Sequence, residues 1–219
     1  MLWALALTTF VAGSVAVAVG DHRHLHKRGL EKRFDYSNLV IVHHNIHRTN
    51  HSASPLTYDE GLASTAAKIA ATCNFEHQMD VDGGGYGQNL AAGTTEDQIG
   101  DAITDMWYNG TYDVVRDKAL WIFIDSALGE VGYYANDYGQ ENPDMSNFGN
   151  WGHFSQMVWK ATEKVGCATQ NCPGGVQNAP GIDTLTVCNY SPAGNVAGEY
   201  GDNIGSPKGM PSKLGSYSG

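Results

Sequence analysis

The chain has 219 residues, a formal net charge of −10 at pH 7 and a hydrophobic content of 42%. This acidic balance argues against nucleic acid as a partner and against electrostatic binding to anionic membranes, because both carry negative charge themselves. The length is suited to one domain with a hydrophobic core of its own.

An apolar segment at the start of the chain predicts export. Residues 2–19 are almost entirely apolar, and the small residues Ala16, Val17 and Ala18 are suited to cleavage. A membrane anchor is the alternative, but polar residues interrupt the segment, which is short for a span of about 20 residues. We predict a signal peptide over residues 1–18 and a secreted, extracellular protein with no transmembrane anchor.

The stretch that follows, residues 19–33, is rich in histidine and basic residues. It contains two dibasic pairs, Lys27-Arg28 and Lys32-Arg33, which suit the processing proteases of the secretory pathway. We interpret it as a pro-segment, and a solvated basic linker is the alternative. Its removal would leave a more acidic mature chain.

Four cysteines predict two disulfides. Cys73, Cys167, Cys172 and Cys188 are an even number behind a signal peptide, and three pairings are open. A zinc site made of these thiols is disfavoured by the oxidising compartment and by the lack of a Cys-x-x-Cys pair.

Apolar residues recur at helical spacing over residues 37–51 and predict the first helix of the domain. His43, His47 and His51 form a stripe on it, for which structural packing and metal binding are the two interpretations. Thr57 and Glu60 form a capping box that starts a second helix, which runs to about Cys73. We also predict a helix over residues 95–108 and strands over residues 164–170 and 184–190.

Two longer sequence motifs are the most specific indications of a protein family. In residues 151–162, His153 stands at the start of a short amphipathic helix, and residues 185–196 read as a buried strand ending in a turn. Both closely resemble the signature motifs of the CAP superfamily: cysteine-rich secretory proteins, antigen 5 and pathogenesis-related class-one proteins. His44-Asn45-Ile46-His47-Arg48 and Gly87-Gln88-Asn89-Leu90-Ala91 resemble two further motifs of the family.

The resemblance, which is to a fungal type of this family, implies an α+β fold. The expected fold is a three-layer α/β/α sandwich with a small antiparallel sheet, formed by a CAP (SCP) domain over residues 36–205. It also implies the disulfides Cys73–Cys172 and Cys167–Cys188. The Gly-, Ser- and Pro-rich residues 206–219 are predicted to be a flexible tail.

The family pattern is interrupted after the third helix. The expected Gly-Glu-Val occurs only at Gly129-Glu130-Val131, and deletion of residues 111–129 would join Trp107-Tyr108-Asn109-Gly110 directly to Glu130. We hypothesise that residues 111–129 are a retained intron or a lineage-specific insertion, and an extra helix or lid over the cleft is the alternative. The junction also creates a glycosylation sequon at Asn109.

The resemblance further implies a cleft tetrad of two histidines and two acidic residues. Carried over by motif, it falls on His77, Gln88, Glu130 and His153, with Gln88 where the family has Glu. His77, Glu130 and His153 are donors suited to weak binding of zinc or another divalent cation. A hydrogen-bonded structural cluster is the alternative. We name no catalytic residue and leave enzymatic activity open, with binding without catalysis as the preferred interpretation.

A second candidate site is the aromatic loop that precedes His153. Similar loops in the family bind sterols and related lipids, and planar rings suit flat apolar ligands. Packing of the rings on the core is the alternative. The expected function is therefore binding of sterols or other small lipids, and the alternatives are a metal-dependent extracellular hydrolase and a module that binds host or cell-wall components. The predicted lipid residues are Tyr133, Tyr134, Tyr138, Phe148 and Trp151.

Overall fold

The computed structural model describes residues 22–110, 129–211 and 215, with side chains from residue 36 onwards. The predicted signal peptide lies outside these residues. None of the helices described is both long and apolar enough to cross a membrane. The helices are α1 (His22–Asn50), α2 (Glu60–Ala70), α3 (Gly129–Tyr133), α4 (Gly152–Val158) and α5 (Tyr200–Asn203); the strands are β1 (Thr57–Tyr58), β2 (Gly87–Ala92), β3 (Lys164–Asn171) and β4 (Thr184–Ser191).

The strands form one sheet in the order β1, β3, β4, β2. Lys164 of β3 lies opposite Ser191 of β4 in an antiparallel pair, and β2 runs antiparallel to β4 on its other side. Both predicted strands are confirmed. The short β1 pairs in parallel with β3, so the sheet is antiparallel except at this edge.

Helices cover both faces of the sheet and form the predicted sandwich. Alternate residues of β4 belong to different hydrophobic clusters: Leu185 and Val187 pack with α2, whereas Cys188 and Tyr190 pack with α1 and α4. This follows from the two-residue period of a strand, which sends successive side chains to opposite faces.

The predicted capping box at Thr57 is wrong. Thr57 belongs to β1, where its N–H donates to the carbonyl of Glu163. Asp59 caps α2 instead, and its side chain accepts a hydrogen bond from the N–H of Leu62 at 3.0 Å. Pairing with a strand far along the chain therefore overrides the local signal.

The predicted helix over residues 37–51 is confirmed as the C-terminal half of α1, and its histidine stripe is structural. His43 Nδ1 and His47 Nε2 each lie 2.8 Å from the hydroxyl of Thr104. His51 donates from Nδ1 to the carbonyl of Gly205 at 2.7 Å. The three rings are buried, and these contacts join α1 to neighbouring segments.

The helix predicted over residues 95–108 has a different geometry. Glu96–Gln98 form a 3-10 turn, and Asp101–Met106 form a π-helix. The N–H of Trp107 accordingly donates to the carbonyl of Ala102, five residues earlier. The apolar spacing predicts a buried helical face correctly, but it does not distinguish the two helix types.

Both disulfides implied by the family resemblance are present. Cys73–Cys172 joins the segment after α2 to the end of β3, across a sequence separation of 99 residues. Cys167–Cys188 joins directly opposed residues of β3 and β4. Each restricts the unfolded chain and stabilises the fold by about 2–4 kcal/mol.

The flanks of the predicted insertion lie against each other. The N–H of Val131 donates to the carbonyl of Tyr108 at 3.1 Å. A Cβ on Gly110 would lie 2.7 Å from the Cα of Gly129, and both glycines have positive φ. Residues 111–128 lie outside the described residues. Contact between the flanks is what an insertion into a continuous segment requires.

The tail predicted to be flexible is anchored where it is described. The N–H groups of Lys208 and Met210 donate to Asn50, and the N–H of Gly215 donates to the carboxylate of Asp105. Residues 212–214 and 216–219 lie outside the described part. These hydrogen bonds tether three backbone positions, and the flexibility of residues 206–219 stays a prediction.

Candidate functional site

His153 and Glu130 form a hydrogen-bonded pair at the start of α4. Glu130 is 2% exposed, and its Oε1 lies 2.7 Å from His153 Nδ1. Its Oε2 accepts from the N–H of Phe154 at 2.8 Å. Because the carboxylate can only accept, His153 donates from Nδ1 and gains or loses its proton at Nε2.

The protonation of His153 is set by opposing effects. Burial disfavours the imidazolium, but the negative charge of Glu130 and the hydrogen bond to it outweigh burial and raise the pKa of His153 above 6.5. The protonated ring contributes stability below pH 6.5, and this contribution is lost as pH rises through the folded-state pKa. The ring stacks on Trp107 with centroids 6.1 Å apart.

Glu130→Gln is expected to lower the pKa of His153. The amide oxygen can still accept from Nδ1–H, but the negative charge that favours imidazolium is gone. An NMR titration of the His153 ring measures the pKa, and Glu141→Gln, at an exposed acidic residue, is the matched control. An unchanged pKa of His153 in Glu130→Gln would contradict the assigned ion pair.

His77 forms a separate pair with Gln88. His77 is exposed, and its Nδ1 lies 2.9 Å from the amide oxygen of Gln88. The amide nitrogen of Gln88 donates to Asn189 Oδ1 at 3.0 Å and to the carbonyl of Gln78 at 3.3 Å. A glutamate at this position would lack both donors. The glutamine is therefore matched to its surroundings.

The two pairs are attached to consecutive residues of β2. Gln88 contacts His77, whereas Asn89 donates to the carbonyl of His153 at 3.1 Å. Across residues 22–110, 129–211 and 215, no three histidine, cysteine or acidic side chains are grouped to hold a metal ion. Asn89 contacts the backbone of His153 and not its ring, so this contact does not place the His153 imidazole relative to His77. Binding of a divalent cation by His77, Glu130 and His153 stays a prediction.

The predicted lipid loop lies partly in the core. Tyr134 and Trp151 are at most 1% exposed, and their rings meet edge to face with centroids 5.1 Å apart. Tyr133, Tyr138 and Phe148 are half-buried against the same core. The alternative of packing on the core therefore describes Tyr134 and Trp151 in the free protein, since burial of such large rings is strongly favourable.

Four polar atoms of one aromatic cluster are buried without a hydrogen-bond partner among the described residues. Tyr134 contacts Tyr138, and Trp151 contacts Tyr200, with ring centroids 5.2 and 5.5 Å apart. A buried polar group without a partner costs about 1–3 kcal/mol, so each requires an explanation. The atoms are Tyr134 Oη, Tyr138 Oη, Trp151 Nε1 and Tyr200 Oη.

The phenols of this aromatic cluster are neutral. Burial raises the pKa of Tyr200 to about 12 and raises the pKa of Tyr134 and Tyr138 further. Each hydroxyl therefore keeps its proton and can both donate and accept. Together with the indole N–H of Trp151, the cluster offers polar partners in apolar surroundings.

Comparison with known proteins identifies the family. The model of the CAP family, described as "Cysteine-rich secretory protein family", matches residues 42–190, more than half of the chain. The chain belongs to the CAP family. The matched region of this CAP protein includes α2, strands β1 to β3, all but the last residue of β4, and His77, Glu130 and His153.

Pathogenesis-related proteins are among the relatives of this CAP chain. A "Probable pathogenesis-related protein" of Arthroderma benhamiae is 42% identical over 178 residues, which cover 81% of this chain and 51% of the relative. "Pathogenesis-related protein 1B" of Nicotiana tabacum is 32% identical over 71% of this chain and 74% of its own length. The chain thus spans about half of its fungal relative.

A solved structure supports the fold. The crystal structure of NaASP2 with Zn2+ is 19% identical, has a TM-score of 0.50 and covers 82% of this chain and 87% of its own. At this identity the likeness shows the CAP fold alone. The zinc belongs to NaASP2.

Sequence reasoning misses Tyr200 of the aromatic cluster. It lies at the start of the short α5, in a Gly- and Asn-rich region with no periodic pattern. No local sequence pattern predicts its contact with Trp151.

Asn109, the predicted glycosylation site, is half-buried, and its side chain is hydrogen-bonded to Asp105. Thr111 of its sequon lies outside the described residues.

Proposed function

We propose that this protein is a secreted, pathogenesis-related CAP protein that binds a sterol or a related small lipid at the aromatic cluster of Tyr134, Tyr138, Trp151 and Tyr200. The observation that carries the proposal is the set of four buried polar atoms without partners among the described residues. The rings match a flat apolar ligand, and the hydroxyl and indole groups match its single polar group.

A ligand reaches this cluster by displacing the loop between α3 and α4. Most residues from 135 to 150 are exposed, and Met145 is 51% exposed. The loop is irregular apart from a turn of 3-10 helix at Met145–Asn150. Binding therefore combines loop movement with the gain of hydrogen bonds that the buried groups lack in the free protein.

Secretion is supported by two independent features. The apolar residues 2–19 are typical of a signal peptide. The four cysteines form two disulfides, and no described cysteine is free, as expected in an oxidising compartment.

Tyr200→Phe is expected to change stability and sterol affinity in opposite directions. Removal of an unpartnered hydroxyl raises the free energy of unfolding by about 1 kcal/mol, because the ring is retained and the desolvation cost is removed. The affinity for labelled cholesterol falls several-fold if the hydroxyl contacts the ligand. Urea denaturation and equilibrium binding measure the two quantities.

Tyr190→Phe is the matched control. In the wild type, the Tyr190 hydroxyl contacts His44 Nε2 at 2.9 Å and Asn89 Nδ2 at 3.3 Å. Loss of this hydroxyl should therefore lower the free energy of unfolding and leave sterol affinity unchanged. Unchanged cholesterol affinity in both Tyr200→Phe and Tyr138→Phe would contradict the proposed site. Binding of cell-wall polymer by a protein that binds no sterol would favour an interaction module.

A further inference from the structure

A second cavity lies away from both the His153 pair and the aromatic cluster. It has a volume of about 650 Å³ and lies where α1 and α2 meet the edge of β3. The rings of Tyr36 and Tyr58 line it, and the exposed residues Glu60 and Glu96 line its rim. We call it the tyrosine cavity.

The start of α1 is fixed at this cavity through Tyr36. Tyr36 Oη lies 3.0 Å from the hydroxyl of Thr169 in β3, and Tyr58 Oη donates to the carbonyl of Cys167 at 3.0 Å. Burial is the largest effect that raises the pKa of Tyr36, and the charge of Glu96 adds to it. Glu96 is therefore close enough to act on the start of α1.

The part of α1 that precedes Tyr36 is basic. The helix begins at His22 and continues through Tyr36 to Asn50. Residues 22–33, which we call the basic arm, contain five Lys or Arg and one Glu, whereas residues 34–219 contain 8 Lys or Arg and 21 Asp or Glu. The arm and the rest of the chain therefore carry opposite net charges and attract each other.

Helical spacing places the end of the basic arm beside the cavity. Positions three and four residues apart are neighbours on a helix, so positions 32 and 33 share the face of Tyr36. At about 1.5 Å per residue, position 33 lies about 4.5 Å before Tyr36 along the helix axis. Glu60 and Glu96 both have interaction partners already. A basic segment of the same chain at this rim agrees with that.

We propose that the basic arm pairs with the acidic rim of the tyrosine cavity, and that cleavage after Lys32-Arg33 releases the arm and opens the cavity. The step is hydrolysis of the peptide bond between Arg33 and Phe34 by a processing protease. Water supplies the new carboxylate of Arg33 and the new amino group of Phe34. The inference does not depend on the proposed sterol function, whose site is the aromatic cluster.

Pairing with the rim should slow this cleavage. Proteolysis of a folded segment follows the population of its open form, so loss of a rim charge should speed it. The test uses the secreted chain, residues 19–219, and a protease specific for dibasic sites. We expect Glu96→Gln and Glu60→Gln each to raise the rate of cleavage after Arg33 several-fold at low salt. In about 0.5 M salt their rates should converge on that of the wild type, because salt screens exposed charges.

Glu141→Gln is the matched control, since Glu141 is exposed but does not line the cavity. Its cleavage rate should equal that of the wild type. Equal free energies of unfolding in Glu96→Gln and Glu141→Gln would show that faster cleavage reflects local release of the arm. Both variants change exposed residues, so both are expected to fold.

NMR of the Tyr58 ring reports the opening of the cavity. Tyr58 belongs to β1 and not to α1, so cleavage affects its ring only if the arm leaves the cavity. We expect the Tyr58 resonance to shift on cleavage while that of the buried Tyr190 stays in place. Equal cleavage rates in Glu60→Gln, Glu96→Gln and Glu141→Gln, or a Tyr58 resonance that cleavage leaves in place, would overturn the inference.

Discussion

Replacement of Arg48 by methionine is expected to lower the free energy of unfolding by about 3–5 kcal/mol. Arg48 is fully buried, and its guanidinium donates to backbone carbonyls. Nη1 reaches the carbonyls of Met157 and Trp159 at 2.9 and 2.8 Å, at the C-terminal end of α4. Nε and Nη2 reach those of Ser54 and Thr162. Methionine fills the space but leaves all four backbone carbonyls without their hydrogen-bond donor.

Urea denaturation measures this loss. Arg48→Lys should lie between the wild type and Arg48→Met, because one ammonium cannot reproduce the planar guanidinium fork. Lys68→Met is the control for loss of a positive charge. Its pair with Asp82 is largely exposed, so we expect a much smaller loss than in Arg48→Met. A loss below 1 kcal/mol in Arg48→Met would contradict the structural role of the guanidinium.

Acid is expected to destabilise the fold steeply between pH 6.5 and pH 3. Burial, the largest effect, lowers the pKa of His44 and of His47 from 6.5 to about 3. The unfolded chain therefore binds protons in this window that the folded chain does not, so stability falls as pH falls. For His44 alone, the free energy of unfolding falls by on the order of 4 kcal/mol between pH 6.5 and pH 3.

His44→Gln is expected to make the pH dependence shallower. His44 donates from Nδ1 to the carbonyl of Val40 and accepts at Nε2 from Tyr190. Glutamine offers a donor and an acceptor but does not titrate. Urea denaturation over a pH series gives the slope, with His77→Gln as the control for loss of an exposed imidazole. An identical pH dependence in His44→Gln and the wild type would contradict a contribution of His44 to the acid sensitivity.

Local patterns predict the elements of this fold well. The helix that carries His153 and the strands β3 and β4 follow from apolar spacing and from two long motifs. The pairing of the four cysteines follows from the family resemblance alone, since spacing leaves three pairings open. The histidine stripe on α1 is explained only by the hydroxyls and carbonyls that the fold brings to it.

Contacts between distant segments could not be predicted. Thr57 carries a capping signal, yet it is part of β1 because β3 pairs with it. The motifs that carry His77 and His153 are both recognisable, but the hydrogen bonds from Gln88 to the His77 ring and from Asn89 to the His153 backbone appear only in the fold. The local sequence gives neither the distance between two motifs nor the face of a strand that each one meets.

NMR of the indole N–H groups tests the central claim, sterol binding at the aromatic cluster, most directly. Trp151 Nε1 is buried without a partner among the described residues, whereas Trp107 Nε1 donates to the carbonyl of Leu90 at 2.9 Å. On titration with cholesterol, the Trp151 indole resonance should shift saturably at one equivalent while that of Trp107 stays in place. No shift of Trp151, or equal shifts of both indoles, would contradict binding at this cluster.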